Sequence, residues 1–174
     1  MQNSTPHYSA GETAVDHAIH ALGVAGAVLG AGWLLQTLFA AVMDWRTILA
    51  GAVYAGGLVA ALGASAGYHL AQDAVWKERL RRADRAAINL MIAGTYTPFA
   101  LVSLGLWPGG ALLVFVWMGA AIGAGLEILA PRRFERATLA IALGLGWCGV
   151  ALIWPLLQAL STETLILIGM GGLR

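Results

Sequence analysis

A serine and a histidine stand four residues apart in the segment SAGYH, Ser65–His69, at the end of a long apolar run. If the segment is helical, one turn places both side chains on the same face. Neutral imidazole is the commonest metal ligand in proteins, and a nearby hydroxyl can bind a carbonyl oxygen or a water molecule. The pair therefore suggests a metal site, although the helix dipole also stabilises a histidine at a helix C-terminus.

Two other groups of ionisable residues border apolar runs. Asp84 precedes the third run in RRADRAAINLMIAGTYTPF, and Glu12, Asp16 and His20 are spaced four apart on the way into the first run, with His17 beside them. Each group also has an ordinary structural interpretation, because helix N-termini favour carboxylates. Ionisable residues near membrane depth are nevertheless rare and usually functional.

The composition predicts an all-α integral membrane protein. Hydrophobic residues make up 59% of the 174 residues and charged residues only 11%, whereas a soluble domain carries about 25% charged residues. The N-terminal segment has no basic residues before the first apolar run, so we expect no cleaved signal peptide and a retained first helix. Short basic connections beside a membrane favour lipid headgroups, not nucleic acid, as the partner.

Five apolar runs have the length of roughly 20 residues that a transmembrane helix needs. They span about 18–42, 47–71, 86–106, 109–130 and 137–157. A sixth run starts at Thr164 and reaches the last residue, Arg174. As a helix, this run would be about 16 Å long and too short to span the membrane. We expect residues 1–174 to form a single helical bundle with five complete spans and a partial sixth, its neighbouring helices antiparallel.

Basic residues alternate between the predicted connections. The segment after the second run, QDAVWKERLRRADR, has five, and PRRFER after the fourth has three, whereas the first connection has only Arg46. Basic connections remain in the cytoplasm. We therefore predict that the protein lies in the inner (plasma) membrane, with its N-terminus and its second and fourth connections in the cytoplasm.

This topology brings the ionisable groups to one depth. The first helix starts, the second ends and the third starts on the cytoplasmic side, so Ser65, His69, Asp84 and the carboxylates near His20 all belong to that layer. A catalytic zinc ion keeps three protein ligands and one water, and a carboxylate can orient or deprotonate that water. The layer is thus suited to metal-dependent chemistry.

Several other polar residues and glycines have structural interpretations. The pairs Gly26/Gly30 and Gly119/Gly123 have the small-xxx-small spacing of close helix packing. Glu127 can reach Arg132 or the membrane interface. The residues that suit hydrogen bonds between helices are Asn89, Thr95, Tyr96 and Thr97. Pro98 is expected to kink the third helix.

SAGYH followed by LRRADRAAINLMIAGTYTPF resembles the signature of the haemolysin III group within the progestin and adipoQ receptor superfamily. ETAVDHAIHALG is similar to that group's N-terminal pattern, with Asp16 where asparagine is usual, and WPGG and the late GG also fit. The resemblance implies seven helices, a cytoplasmic N-terminus and a zinc site near the cytoplasmic leaflet. It makes His69 a zinc ligand, Asp84 the residue that holds the water at the zinc, and Ser65 the serine of the same site.

The resemblance also implies two zinc ligands that the chain lacks. They form an H-x3-H pair in the last helix, but no histidine follows His69. We therefore expect a chain truncated before its last helix. The family does not use residues equivalent to His17 and His20 as ligands, so we do not expect these to substitute.

Three functions follow from the resemblance. The first is zinc-dependent hydrolysis of a lipid amide of the ceramide type, with Asp84 and Ser65 as catalytic residues and His69 as a metal ligand. The second is pore formation, as in a cytolytic haemolysin. The third is a receptor-like role without chemistry, and the sequence does not decide among the three.

Overall fold

The structure, a computed structural model, describes residues 10–104, 106–130, 133–151, 154, 157–158 and 160–172. Within this part, the α-helices are α1 (Ala10–Ala40), α2 (Trp45–Leu70), α3 (Ala74–Pro98), α4 (Leu106–Leu129), α5 (Glu135–Ala151) and α6 (Thr162–Gly172), and a π-helical segment (Phe99–Ser103) continues α3. The described residues contain no strand, which confirms the all-α class. Four helical stretches are long and apolar enough to cross a membrane: Ala14–Ala40, Trp45–Leu70, Ala74–Ser103 and Trp107–Leu129.

The fifth predicted span is not among these four. Helix α5 is described over Glu135–Ala151, and the rest of the predicted run, residues 152–157, lies largely outside the described residues, so the fifth span stays a prediction. Helix α6 has 11 residues, as the short apolar run near Thr164 predicted.

Aspartate side chains define where α2 and α3 begin. Asp44 accepts hydrogen bonds from the amides of Arg46 (2.9 Å) and Thr47 (3.4 Å) and from the Thr47 hydroxyl (2.7 Å). These hydrogen bonds lower the pKa of the Asp44 carboxyl. The bond from the Thr47 hydroxyl contributes most, and the bond from the Arg46 amide contributes next. Asp73 accepts hydrogen bonds from the first free amides of α3, those of Val75 and Trp76. Both residues thus satisfy amides that would otherwise lack partners.

The basic segment predicted as a connection is instead the first part of α3. The helix begins at Ala74, not near residue 86, so all five basic residues between Lys77 and Arg85 are helical. Glu78 pairs with Arg81 (2.9 Å) and Arg82 (3.3 Å) one turn further on, and such pairs favour a helix. Hydropathy located the apolar part of α3 but not its polar beginning.

Pro98 ends the regular α-helical hydrogen bonding of α3, and the kink expected at this residue stays a prediction. Proline has no N–H to donate, and the next five residues, Phe99–Ser103, form a π-helical turn. The amide of Leu104 donates to the Phe99 carbonyl (3.1 Å). The chain then enters α4, where Gly109 packs so closely on the Ala100 carbonyl that a Cβ would collide with it.

Small side chains allow α3, α4 and α5 to pack closely. Ala93, Val116 and Ala120 are fully buried in their shared core. Tyr96 links α3 to α5, because its hydroxyl donates to the Gly146 carbonyl (3.0 Å) and accepts from the Gly149 amide (2.6 Å).

Two of the four residues expected to bond between helices do so. They are Tyr96 and Thr97, which accepts a hydrogen bond from the Trp117 indole (3.2 Å). The side chains of Thr95 and Asn89 donate instead to carbonyls of their own helix.

The two glycine pairs have different surroundings. A Cβ at Gly119 would lie 2.8 Å from Leu145, and one at Gly123 would lie 2.6 Å from Oδ1 of Asn89. At Gly26 and Gly30, no described residue beyond the helix itself would lie within 4 Å. Close packing is therefore confirmed for the α4 pair and not observed for the α1 pair in the described bundle.

We predict that Gly123→Ala lowers the thermal stability of the purified protein in detergent. The new methyl group would overlap the buried Asn89 side chain, and overpacking costs about 1–3 kcal/mol. Gly30→Ala is the matched control and should leave the melting temperature unchanged or raise it, because alanine is favoured in helices by about 1 kcal/mol. Equal losses in both variants would contradict the assigned packing.

Candidate metal site at the α1/α2 end

The antiparallel pairing of α1 and α2 creates the strongest cluster of potential ligands in the described chain. Four residues, 41–44, connect the two helices, so the beginning of α1 lies beside the end of α2. Asp16 and His20 are one turn apart on α1, and His69 is the second-last residue of α2. The fold brings together residues 53 positions apart in sequence.

Asp16 lies between the two imidazoles. Its Oδ1 is 3.5 Å from Nε2 of His20, and its Oδ2 is 3.3 Å from Nδ1 of His69. The two rings are stacked, with centroids 4.0 Å apart and planes tilted by 32°. The Tyr68 ring packs edge-on against His69, with centroids 5.1 Å apart. Both α1 residues therefore face the end of α2.

The cluster is partly open. The side chain of His20 is 18% exposed, whereas Asp16 and His69 are 45% and 38% exposed. A ligand could therefore approach from outside the described bundle, while the His20 ring is held between the helices. Such partial exposure distinguishes the cluster from a sealed ion pair in a protein core.

These three side chains could hold a metal ion. Each offers one ligand atom, and the three atoms lie within 4.8 Å of one another. Zinc binds histidine nitrogen and carboxylate oxygen at about 2.0–2.2 Å, so neighbouring tetrahedral ligands are about 3.4 Å apart. The distances from Asp16 to the two rings are close to that separation, and they start from different oxygens of its carboxylate, Oδ1 toward His20 and Oδ2 toward His69. Two histidines and one carboxylate, with further positions open, also form a ligand set found in hydrolytic zinc sites.

The structure changes the expectation for the histidines of α1. His20 stacks on His69 and is part of the group that could hold a metal ion, although neither α1 histidine was expected to act as a ligand. His17 is not part of it. The side chain of Glu12 lies outside the described part. The signal that could have found the group is the Asp-x3-His spacing on α1, opposite a terminal histidine on α2.

Ser65 and Asp84 lie further from the helix ends than His69. In the antiparallel α2/α3 pair, Gly67 faces Leu80 and Gly57 faces Met91. This register places Asp84 opposite residue 63, about two residues or 3 Å along the axis from Ser65, and about 9 Å from the level of His69. Both side chains are half-buried. In the described part of the chain, neither makes a side-chain hydrogen bond or ion pair.

The polar residues predicted to lie in one layer thus lie at two adjacent levels along the helices. His69 belongs with Asp16 and His20 at the helix ends, and Ser65 belongs with Asp84 about one to two turns further in. The described structure does not bring Asp84 into the metal-binding group. A serine hydroxyl and a carboxylate without described partners remain available for a bound molecule.

Glu127 belongs to a separate and largely satisfied cluster between α3, α4 and α5. It is only 6% exposed, accepts a hydrogen bond from the Thr138 hydroxyl (2.6 Å) and lies 3.8 Å from Nη1 of Arg85. Arg85 also pairs with Glu135 at 2.8 Å. The two partners predicted for Glu127 are Arg132, which lies outside the described residues, and the membrane interface. Its described partners support the structural interpretation.

We predict that Glu127→Ala destabilises the protein by about 1–3 kcal/mol, because the buried Thr138 hydroxyl and Arg85 lose a partner. Thermal unfolding in detergent measures the effect. Glu78→Ala is the control, since each of its two described pairs lies within one helix and contributes only about 0.3–0.5 kcal/mol. An equally small effect at Glu127 would contradict its role in joining the helices.

Comparison with known proteins identifies a family over nearly the whole chain and curated relatives over about half of it. The family described as "Haemolysin-III related" matches residues 11–173. The chain is 38% identical over 90 residues to "Hemolysin-3" of Bacillus cereus, covering 52% of this chain and 41% of the relative. It is 37% identical over 97 residues to the "Hemolysin-3 homolog" of Bacillus subtilis (strain 168), covering 56% and 46%.

The chain therefore matches less than half the length of these curated relatives. No solved structure matches it. The family match nevertheless extends from α1 through α6, over the membrane-length helices and the residues of the candidate site. The chain belongs to the haemolysin III-related family of multi-pass membrane proteins.

Proposed function

We propose that this protein is a metal-dependent hydrolase of lipid amides, with ceramide-like lipids as the substrate class. The observation that carries the proposal is the convergence of His69, Asp16 and His20 at the ends of α1 and α2, within 4.8 Å of one another. Zinc is the proposed ion, because the group offers nitrogen and oxygen ligands and suits three protein ligands with an open position. His69 is the ligand that the family resemblance also implies.

The chemistry divides between the two levels of the site. When bound, zinc would polarise the amide carbonyl and promote deprotonation of a water molecule. The Ser65 hydroxyl would donate a hydrogen bond to the substrate carbonyl oxygen. The Asp84 carboxylate would accept a hydrogen bond from the attacking water, take up its proton as the C–O bond forms, and pass that proton to the amide nitrogen as the C–N bond breaks. Both groups are half-buried and have no described side-chain partner, which supports roles toward a bound molecule.

The position of the site suits a lipid amide. His69 ends an apolar helix, and Lys77 and Arg79 lie just beyond it in the polar beginning of α3. An amide between a polar headgroup and an acyl chain occupies this same boundary in a membrane. The acyl chain would extend along exposed apolar side chains of the bundle, such as Leu22 and Leu29 on α1.

We predict that the reconstituted protein releases fatty acid from a fluorescent ceramide and that His69→Ala abolishes this activity. Ser65→Ala should lower kcat by about 100- to 1,000-fold if the hydroxyl stabilises the developing oxyanion. Asp84→Asn should lower it by about 100- to 10,000-fold if the carboxylate is the general base. Liquid chromatography with mass spectrometry measures the product.

His17→Ala is the control for this assay, since His17 is on α1 but outside the metal-binding group. It should retain wild-type activity. Absence of hydrolysis with zinc bound, or undiminished activity in His69→Ala, would contradict the proposed function.

Pore formation is a second candidate, supported by the names of the two Bacillus relatives, both called hemolysins. It would require the glycine-rich helices to assemble in the membrane, and the chemistry at His69 would not matter. Release of a trapped dye from liposomes that persists in His69→Ala and with a chelator would favour this function over hydrolysis.

The proposed topology has five spans, a cytoplasmic N-terminus and an inner-membrane location. The concentration of basic residues on α3 and before α5 supports it through the positive-inside preference. The proposal places residues 41–44 outside and residues 71–73 inside. In this topology, the candidate site lies near the cytoplasmic side of the membrane.

We predict opposite labelling of two cysteines in a Cys148→Ser background, which removes the single native cysteine. In spheroplasts, Met43→Cys should react with an impermeant maleimide, because the α1/α2 connection is external. Gln72→Cys should react only after lysis. The reverse labelling pattern would invert the proposed topology.

A further inference from the structure

We infer that Arg79 and Arg133 form a binding surface for anionic phospholipids, in which each guanidinium lies on an exposed aromatic ring and contacts a headgroup phosphate. The ring beneath Arg79 is that of Trp76, and the ring beneath Arg133 is that of Phe134. The inference goes beyond the proposed function and does not rest on it, because none of these residues belongs to the candidate site. It assigns a partner of stated charge to one end of the helical bundle.

Both arginines are held over aromatic rings in the same way. Cζ of Arg79 is 5.3 Å from the centroid of the Trp76 ring, and Cζ of Arg133 is 5.4 Å from the centroid of the Phe134 ring. These distances are within the range of about 6 Å for a cation–π contact. Such a contact orients the guanidinium without using its in-plane N–H donors, which remain available to an anion.

Ion pairs divide the arginines at this end of the bundle into two sets. The paired arginines, which contact Glu78, Glu127 or Glu135 at 2.8–3.8 Å, are Arg81, Arg82 and Arg85. All three are half-buried, whereas Arg79 and Arg133 are exposed. Within the described ranges, neither exposed arginine contacts a carboxylate. The paired set stabilises the protein itself, and the exposed set keeps its donors for an anion outside the protein.

The Arg79 pair lies at the boundary of the membrane. Because Gly67 of α2 faces Leu80 of the antiparallel α3, Arg79 is level with residue 68 and Trp76 with residue 71. The Trp76 ring is therefore one residue beyond the end of α2, which is long and apolar enough to cross a membrane. Its side chain is 59% exposed. Tryptophan is enriched at this depth, where the acyl chains meet the headgroups.

The Arg133 pair lies at the same end of the bundle. Arg133 and Phe134 immediately precede α5, whose first residue, Glu135, contacts Arg85 of α3 at 2.8 Å. The Phe134 side chain is 39% exposed. Two separate segments of the chain therefore present the same arrangement, an exposed arginine on an exposed ring, at one membrane boundary.

The chemistry of both pairs matches an anionic phospholipid. The planar guanidinium donates paired hydrogen bonds to phosphate oxygens, and the ring beneath it offers an apolar surface to the upper acyl carbons. Phosphatidylglycerol carries a net negative charge, whereas the choline cation of phosphatidylcholine offsets its phosphate. The positive-inside preference explains the number of basic residues at this end. It does not explain why the exposed arginines lie on exposed rings, and a bound headgroup does.

The test is native mass spectrometry of the purified 174-residue chain in a neutral maltoside detergent, titrated with phosphatidylglycerol or phosphatidylcholine. We expect the wild type to bind phosphatidylglycerol more tightly than phosphatidylcholine. Arg79→Gln and Arg133→Gln should each weaken phosphatidylglycerol binding about fivefold, since one basic residue at an anionic surface contributes about that factor. Removal of both arginines should weaken the overall binding about 25-fold.

Arg82→Gln is the matched control, because it removes the same charge from α3 but from an ion pair with Glu78. It should bind phosphatidylglycerol like the wild type. Trp76→Leu keeps the charge of Arg79 and should weaken binding about two- to fivefold, as expected for loss of an exposed cation–π contact. Thermal unfolding in the same detergent verifies that each variant is folded.

Two results would overturn the inference. One is equal binding of the two lipids by the wild type. The other is a loss in Arg82→Gln as large as the losses in Arg79→Gln and Arg133→Gln, because the lipid would then respond to net charge and not to these two pairs. The test measures lipid binding without hydrolysis, so absence of ceramide hydrolysis would contradict the proposed function and leave this inference standing.

Discussion

The antiparallel register of α1, α2 and α3 is the constraint on which the candidate site depends. Four residues connect the first two helices and three connect the next two, so neither connection lets a helix shift far along its neighbour. Asp44 and Asp73 cap the helices that follow these connections. Close contacts such as Gly51 with Leu38, and Gly67 with Leu80, then maintain the register. His69 can meet Asp16 only because this register is maintained.

A membrane environment explains why the remaining ionisable residues fall into two kinds. A charge away from water needs a partner, and Glu127 has Arg85 and Thr138 across three packed helices. Among the described residues, the Asp16 carboxylate contacts only the two imidazoles, at a partly exposed helix end. The first arrangement joins helices and has little capacity left for a ligand. The second contributes less to packing and retains the capacity to bind.

Helix α3 connects the polar surface to the core. Its first turns carry charges and begin at an aspartate cap, whereas its later turns are buried against α4 and α5. Pro98 then removes one helical hydrogen bond, and the π-helical turn accommodates the change before α4. Tyr96, just before this turn, is held by the backbone of α5. Asp84 lies between the charged and buried parts of α3, at the level of Ser65.

The sequence alone determined the all-α membrane class, the haemolysin III-related family and the choice of His69, Ser65 and Asp84 as residues to examine. Each depends on composition, on apolar run length or on a local motif, which are properties of neighbouring residues. Helix α3 was assigned too late, because hydropathy detects burial in lipid and not the capped, ion-paired turns before it. Gly26 and Gly123 have the same spacing, yet only Gly123 meets a neighbouring helix.

Only the tertiary structure decided which residues accompany His69. Asp16 and His20 were visible as a spaced pair, but their relation to a residue 53 positions away depends on the register and rotation of α1 against α2. The same rotation leaves His17 outside the group. Tertiary structure also showed that Asp84 and His69 lie at different levels along the helix axis. The contacts between α2 and α3 determine which of their residues lie at the same level. Sequence spacing describes one helix face, whereas a metal site needs distances between faces, and these are set by packing.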